Sequence, residues 1–300
     1  MNILITGASG LVGTHLTRLL LQKGYAVAHL SREKGHDARL RYFTWNPMQR
    51  KMEHEALEWA DLIVNLAGAP VADKRWTEMR KKELIDSRVS GLKLMAEVIR
   101  TSPKKPAALI SASAIGYYGI VTNDNIYSEN DPAANDFFGD CCRQWEEAAL
   151  GFEAQEIRTV ILRIGIVLAK DGGALPKLAG PVKWGIGSPL GSGKQWMPWI
   201  HIDDLCAVFL KAIEENSFRG IYNAVGSVPV TNREFVRAVG KALHRPVFLP
   251  PVPAFVLKLM LGEMAGIVTE GVRVSNAKLC NSKFSFRYEK LEEALENLLS

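Results

Sequence analysis

The sequence predicts an α/β fold, a doubly wound parallel sheet with a smaller C-terminal domain built onto it. Three observations carry that reading. The chain opens on MNILITGASGLVGTHLTRLLLQKGYAVAHLSR, in which an apolar run, a glycine-rich turn, a helical pattern and a second apolar run follow in succession. Runs with strand character then alternate with helical patterns as far as Leu168. Beyond that point the texture changes to a stretch rich in Gly, Pro and Trp.

Asn2 to Thr6 is short, apolar and β-branched, as suits a central parallel strand covered on both faces. Gly7, Gly10 and Gly13 follow, and Leu11, Val12, Leu16, Leu19 and Leu20 recur at helical spacing until Gly24 ends the helix. With the next strand, YAVAHLSR, these make one βαβ unit. The glycines have separate tasks: a tight turn, close approach of backbone to a pyrophosphate, and packing of helix on strand. The helix N-terminus adds free N–H groups and a partial positive charge. Gly7, Ser9, Gly10, Leu11, Val12 and Gly13 are therefore candidate dinucleotide contacts. The strand tip then selects the cofactor. An acidic residue about 20 positions past the loop would hold the ribose 2′-hydroxyl of NAD. Ser31 and Arg32 stand there instead, and a guanidinium with a hydroxyl suits a 2′-phosphate, which favours NADP(H).

RYFTW is expected as the third strand, EHEALEWA as a short helix and ADLIVNLAG as the fourth strand. The small residues at the end of that strand let backbone approach the cofactor, so Asn65, Leu66, Ala67 and Gly68 join the candidates. A long helix is expected over Thr77 to Thr101, with Leu84, Ile85, Val89, Leu92, Met95, Ala96 and Ile99 on one stripe. AALISASA is the fifth strand, FFGDCCRQWEEAALGF a helix and RTVILRIGIVL a single sixth strand. The segment from Lys170 to Trp199 resembles a substrate loop more than scaffold. IHIDDLCAVFLKAIEE is a helix with Asp203 or Asp204 at its start, and GIYNAVG a further strand. Thr231 and Glu234 form a capping-box pattern, and LEEALENLL is a final amphipathic helix. The expected dinucleotide-binding domain spans residues 1–168, with 200–226 returning to it. Residues 169–199 and 227–300 form the smaller domain.

Composition bounds the function. Across 300 residues, 47% hydrophobic and 23% charged content is that of a folded globular chain. The net charge of +5 is dispersed and suits anionic metabolites at least as well as nucleic acid. No basic and aromatic residues interleave as a strand-binding groove requires. No run reaches the roughly 18 apolar residues of a membrane helix, and NILITG reads as a buried strand, not a signal peptide. The four cysteines include no CxxC pair, so no metal is expected, and free thiols point to a reducing cytoplasm.

TGASGLVG, NLAG, ISASAIGYYG, LRIGIVL and WIHIDDL together resemble the extended short-chain dehydrogenase/reductases, the nucleotide-sugar epimerase and dehydratase lineage. RYFTWNP, LAKDGGALPKL, GSGKQWMPWIHIDDL and the tail FSFRY with LEEAL resemble an atypical subgroup, epimerase family proteins of the short-chain dehydrogenase/reductase family 39U type. That resemblance implies a Rossmann domain binding NADP(H) and a C-terminal domain closing over a small-molecule substrate. It also implies a monomer or a homodimer paired through two long helices. A catalytic Ser, a Tyr-x-x-x-Lys pair and a helical Asn belong to the lineage. The serine falls on Ser113, with Ser111 before it facing the cofactor. The tyrosine falls on Phe138, the lysine on Cys142 and the helical asparagine on Arg88, while Glu146 keeps the helix register. A phenyl ring cannot exchange a proton, so the usual relay is missing.

Tyr117 and Tyr118 are the nearest substitute acids, with His201 a further candidate. Trp184, Trp196, Met197 and Trp199 are expected to line or cover the substrate, with Lys177 and Lys194 able to meet an anionic group. Cys142 as a nucleophile has no histidine near it in sequence. The function implied is an oxidoreductase or isomerase on an unidentified small metabolite. The alternative is a non-catalytic NADPH-sensing regulator, since some of the lineage are described as cell-division inhibitors.

Overall fold

Alternation within the first strand already assigns two sides to a sheet. In the computed structural model, which describes residues 1–300, Ile3 and Ile5 of β1 (Asn2–Thr6) face one apolar cluster and Leu4 faces another. The chain continues through α1 (Leu11–Gln22), β2 (Ala26–Ser31), β3 (Arg41–Asn46), β4 (Lys51–Met52), α2 (Glu55–Trp59) and β5 (Leu62–Asn65). Next come α3 (Glu78–Thr101), β6 (Ala108–Ala114), β7 (Ile126–Tyr127), α4 (Phe137–Leu150) and β8 (Arg158–Ile164). The smaller unit begins with β9 (Ile166–Ala169), β10 (Gly172–Gly173), α5 (Ala174–Lys183) and β11 (Trp199–His201). Then follow α6 (Ile202–Glu214), β12 (Gly220–Ala224), α7 (Asn232–Ala242), α8 (Ala254–Leu261), α9 (Gly266–Thr269), β13 (Arg273–Val274), α10 (Ala277–Asn281) and α11 (Leu291–Leu299).

The main sheet runs β12-β8-β6-β5-β1-β2-β3-β4, parallel throughout except for the β3–β4 pair. Helices α1 and α6 cover one face through Leu16, Leu20, Leu205, Val208 and Phe209. Helices α3 and α4 cover the other through Leu92, Met95, Ile99, Trp145 and Ala149. The apolar stripe of α3 is thus largely taken up inside the chain, and the residues these two helices expose include Lys82, Lys93, Arg143 and Glu147. The order reverses beside β1, so the carboxyl ends of β1 and β5 open a crevice. No helix is long and apolar enough to cross a membrane.

Two expectations need correction. The single strand over 158–168 is two strands. Gly165 breaks it, and Ile166 N donates to Pro198 O at 2.7 Å, which carries the chain into the small β10-β9-β11 sheet. A Cβ on Gly165 would lie 2.3 Å from the Pro198 oxygen, so only glycine lets the two segments cross there. The stretch expected as a substrate loop contains α5, whose Leu175, Ala179 and Val182 pack into a third core with Phe235, Val239, Leu291 and Leu295. The glycines and prolines around that helix hid its short apolar stripe.

Candidate active site

The amino-terminal turn is built for close approach. Gly7 has φ +66°, and a Cβ on it would sit 2.5 Å from the Leu66 carbonyl; one on Gly13 would sit 2.5 Å from Ala8 Cα. Gly10 caps α1 with no side-chain acceptor, and the first turn holds no acidic residue. The first amide of α1 with an acceptor is that of Thr14, so the N–H groups of Leu11 and Val12 stay free at the positive end of the helix. Ser9 and Gly10 are exposed at the mouth of this cradle. At the tip of β2 the Ser31 hydroxyl donates to the Glu33 carbonyl, while Arg32 is exposed and unpaired.

Asn65 and Ser111 are joined by a side-chain hydrogen bond at the floor of the crevice. Thr6 Oγ1 donates to Asn65 Oδ1 at 2.7 Å, and Asn65 Nδ2 donates to Ser111 Oγ at 3.1 Å. All three side chains are buried and brace the ends of β1, β5 and β6. Leu66 and Ala67 are half-exposed and Gly68 exposed on the crevice rim. Beneath them Arg88 donates to the Leu84 and Ala69 carbonyls and lies 5.1 Å over the Trp145 ring, with no acid beside it. Burial lowers its pKa.

At the end of β6 sits a buried polar network. Ser113 Oγ donates to Glu146 Oε1 at 2.7 Å, and Arg163 grips the same carboxylate from Nε and Nη2 at 2.9 and 2.8 Å. The Glu146 and Arg163 side chains are 5% and 1% exposed. Arg163 Nη1 also donates to Tyr118 OH, which in turn donates to Asn223 Oδ1 at 2.7 Å. The ring of Tyr117 lies 3.4 Å from the Arg163 guanidinium carbon. A carboxylate can only accept, so the Ser113 hydrogen is committed to Glu146 and its oxygen has only lone pairs left to offer.

The two tyrosines therefore separate. Burial pushes Tyr118 up to about 12 and its hydroxyl is fully engaged, whereas the Tyr117 hydroxyl makes no hydrogen bond within the chain. Phe138 stands where the family places its tyrosine, 4.7 Å from the Trp76 ring. Cys142 is buried, and desolvation pushes its thiol up to about 12, which rules out a ready nucleophile. Sequence reading kept Glu146 only as a register mark and passed over Arg163. The signal for the pair was a charged residue inside the otherwise apolar run RTVILRIGIVL.

The proposed substrate aromatics do not converge. Trp199 is 1% exposed inside the third core, and Trp184 is 85% exposed at the end of α5. Met197 is buried in the same core. Lys177 and Lys194 are exposed and in no ion pair. His201 is structural: its Nδ1 accepts from Asp203 N at 3.0 Å to cap α6, its other nitrogen meets Asn297 Oδ1, and its ring stacks 3.9 Å from Tyr288. The cap expected of Asp203 or Asp204 is thus supplied by imidazole, and Asp204 instead accepts from the amides of Arg287 and Tyr288. Only Trp196 of the aromatic set stays half-exposed, its indole N–H donating to the Asn123 carbonyl.

A glycine cradle at the carboxyl end of β1, beside a serine at the end of β6, is the arrangement that family comparison then places. Residues 3–224 match the NAD dependent epimerase/dehydratase family. The chain belongs to that family. Residues 252–298 match a domain of unknown function, DUF1731. Among curated relatives, the chloroplastic epimerase family protein SDR39U1 homolog of Arabidopsis thaliana is 35% identical over 307 residues, covering 100% of this chain and 87% of its own. The epimerase family protein YfhF of Bacillus subtilis is 34% identical, covering 100% of this chain and 98% of its own. The crystal structure of human epimerase family protein SDR39U1 (isoform 2) with NADPH superposes with a TM-score of 0.89 at 32% identity over 99% of both chains. This family member thus shares the fold of an NADPH-bound relative. It also shares the fold of the UDP-glucuronic acid 4-epimerase of Bacillus cereus, at 18% identity and a TM-score of 0.79.

Proposed function

We propose that this chain binds NADP(H) at the carboxyl end of β1 and acts as an oxidoreductase or isomerase on a small, anionic metabolite. The observation that carries the cofactor is the uncapped start of α1 beneath glycines whose missing side chains leave backbone exposed. Gly7 and Ser9 to Gly13 would hold the pyrophosphate, and Arg32 with Ser31 the 2′-phosphate. Leu66, Ala67 and Gly68 would line the crevice, and Arg88 would add positive charge behind it. The NADPH found in human SDR39U1 supports the same assignment. When bound, NADP(H) supplies or accepts the hydride.

The remaining work falls to this chain's own groups. Ser113, its proton fixed on Glu146, accepts a hydrogen bond from a substrate hydroxyl and so orients it. Tyr117 is the phenol with a free hydroxyl, its ring stacked on the Arg163 that holds Glu146, and it takes the proton-handling role that Phe138 cannot fill. Arg163 and Glu146 hold both residues in place without touching the reacting atoms. The buried thiols of Cys141, Cys142 and Cys206 suit a reducing compartment such as the cytoplasm.

A second reading is favoured by one observation. Phe138 and Cys142 replace the tyrosine and lysine, which is what a protein that senses NADPH without turnover would tolerate. Purified protein offered a panel of keto acids with NADPH and of hydroxy acids with the oxidised cofactor NADP+, while nicotinamide absorbance is followed, separates the two. Turnover lost in Tyr117→Phe supports the enzyme. Silence across the panel with tight NADPH retention supports the sensor.

A further inference from the structure

One arginine outside the network described above lacks both an acid and an acceptor. Arg273 lies on β13, fixed by parallel pairing with Ile126 of β7. Its Nε is buried with no hydrogen-bond partner, and none of the chain's ion pairs includes it. Its guanidinium carbon stands 4.9 Å from the centroid of the Trp196 ring. Arg163 differs in having Glu146, and Arg88 differs in having two carbonyl oxygens. The side chain is half-buried, and it is the Nε edge that is closed off from water with an indole face beside it and no acceptor.

The surroundings hold this pair rigidly. Trp196 is anchored at its indole N–H by Asn123 O and at its backbone by a bridge to Thr231. Gly271 lies so close that a Cβ there would be 2.0 Å from the Trp196 oxygen, which packs the segment leading into β13 against the segment leading into β11. Val225, Val272 and Val274 form the apolar floor, and the same cluster contains Tyr118 with Tyr117 packed against it. Val225, Val272 and Val274 thus line the crevice at Arg273 on one side and pack against Tyr117 and Tyr118 on the other. The volume of the crevice is about 10 Å³, room for a single oxygen-sized group and not for a nucleobase.

We infer that Arg273, stacked on Trp196, is the residue that recognises the anionic group of the substrate by donating from its guanidinium to a carboxylate or phosphate oxygen. It takes the part expected of Lys177 and Lys194, which are exposed. This deepens the reading of a small anionic substrate and rests on it. The rigid planar donor selects molecules whose charge is carried on a compact headgroup at a fixed reach from the carbon beside Tyr117.

The test uses the full chain. Inorganic phosphate and succinate are titrated by calorimetry against the wild type, Arg273→Met, Arg273→Lys and the surface control Lys194→Met, with sodium chloride at matched ionic strength as blank. The expected result is binding of one of the two anions, weakened about ten- to a hundredfold in Arg273→Met, partly kept in Arg273→Lys and unchanged in Lys194→Met. NADPH affinity, measured in the same variants, stays at the wild-type value. An affinity for phosphate alone assigns a phosphoryl headgroup, and one for succinate alone a carboxylate. Phenylglyoxal labelling of the wild type, read on the peptide bearing Arg273, gives a second measure that needs no variant to fold: the anion slows labelling there. Equal weakening in Lys194→Met, or labelling of Arg273 indifferent to both anions, overturns the inference. Loss of NADPH binding in the wild type would instead overturn the cofactor reading and leave the anion result to stand by itself.

Discussion

Glu146 and Arg163 form a buried ion pair whose removal is the sharpest test of how this site is supported. In Glu146→Met, the Nε and Nη2 donors of a guanidinium that is 1% exposed lose their acceptor, and Ser113 loses the partner of its hydroxyl. Breaking a buried pair from one side costs about 3–5 kcal/mol, because the surviving charge is stranded away from water. For a chain of this size that lowers the melting temperature on the order of 10 °C. Removing both charges in Glu146→Met/Arg163→Met relieves the stranded ion, and the double variant is expected within about 2 kcal/mol of wild type. Urea unfolding followed by circular dichroism, run as a double-mutant cycle, reads the coupling between the two residues. Additive losses, or a single variant within about 1 kcal/mol of wild type, would refute the claim that the pair acts as one buried unit.

Arg32→Asp should lower NADPH affinity far more than NADH affinity, by fluorescence titration with each nucleotide, since it sets a carboxylate against the 2′-phosphate; equal losses reject the assignment. Gly13→Val should abolish binding of both nucleotides, because its side chain would enter space only 2.5 Å from Ala8 Cα; retained affinity would remove the cradle from the argument. Burial lowers the pKa of His201, so the unfolded chain binds its proton first and stability falls as pH drops through about 6.5. His29, also lowered by burial, contributes with the same sign, and His201→Asn should remove only part of that slope. Asp204, raised by burial, acts in the opposite sense near pH 4 and lies outside that window. An unchanged pH profile in His201→Asn would show that the imidazole is not the group involved. In native protein only Cys280 should react with a disulfide reagent, whereas denaturation should release all 4 thiols; fast native labelling of Cys142 would contradict its burial.

The sequence by itself determined the elements whose information is local. The apolar β-branched run of the first strand, the helical repeat of α1, the glycine spacing and the capping box of Thr231 and Glu234 are each written within a few residues of one another, and each formed as read. The missing tyrosine and lysine were equally legible, because an absence of chemistry at Phe138 and Cys142 needs no partner to be recognised. What tertiary structure alone decided were pairings across long stretches of chain. Glu146 meets Arg163, Asn65 turns to Ser111, His201 displaces two aspartates as a cap, and Arg273 comes to rest on Trp196. A side chain's role in such a pair depends on which groups burial leaves unsatisfied beside it, and that is set by packing rather than by spacing along the chain.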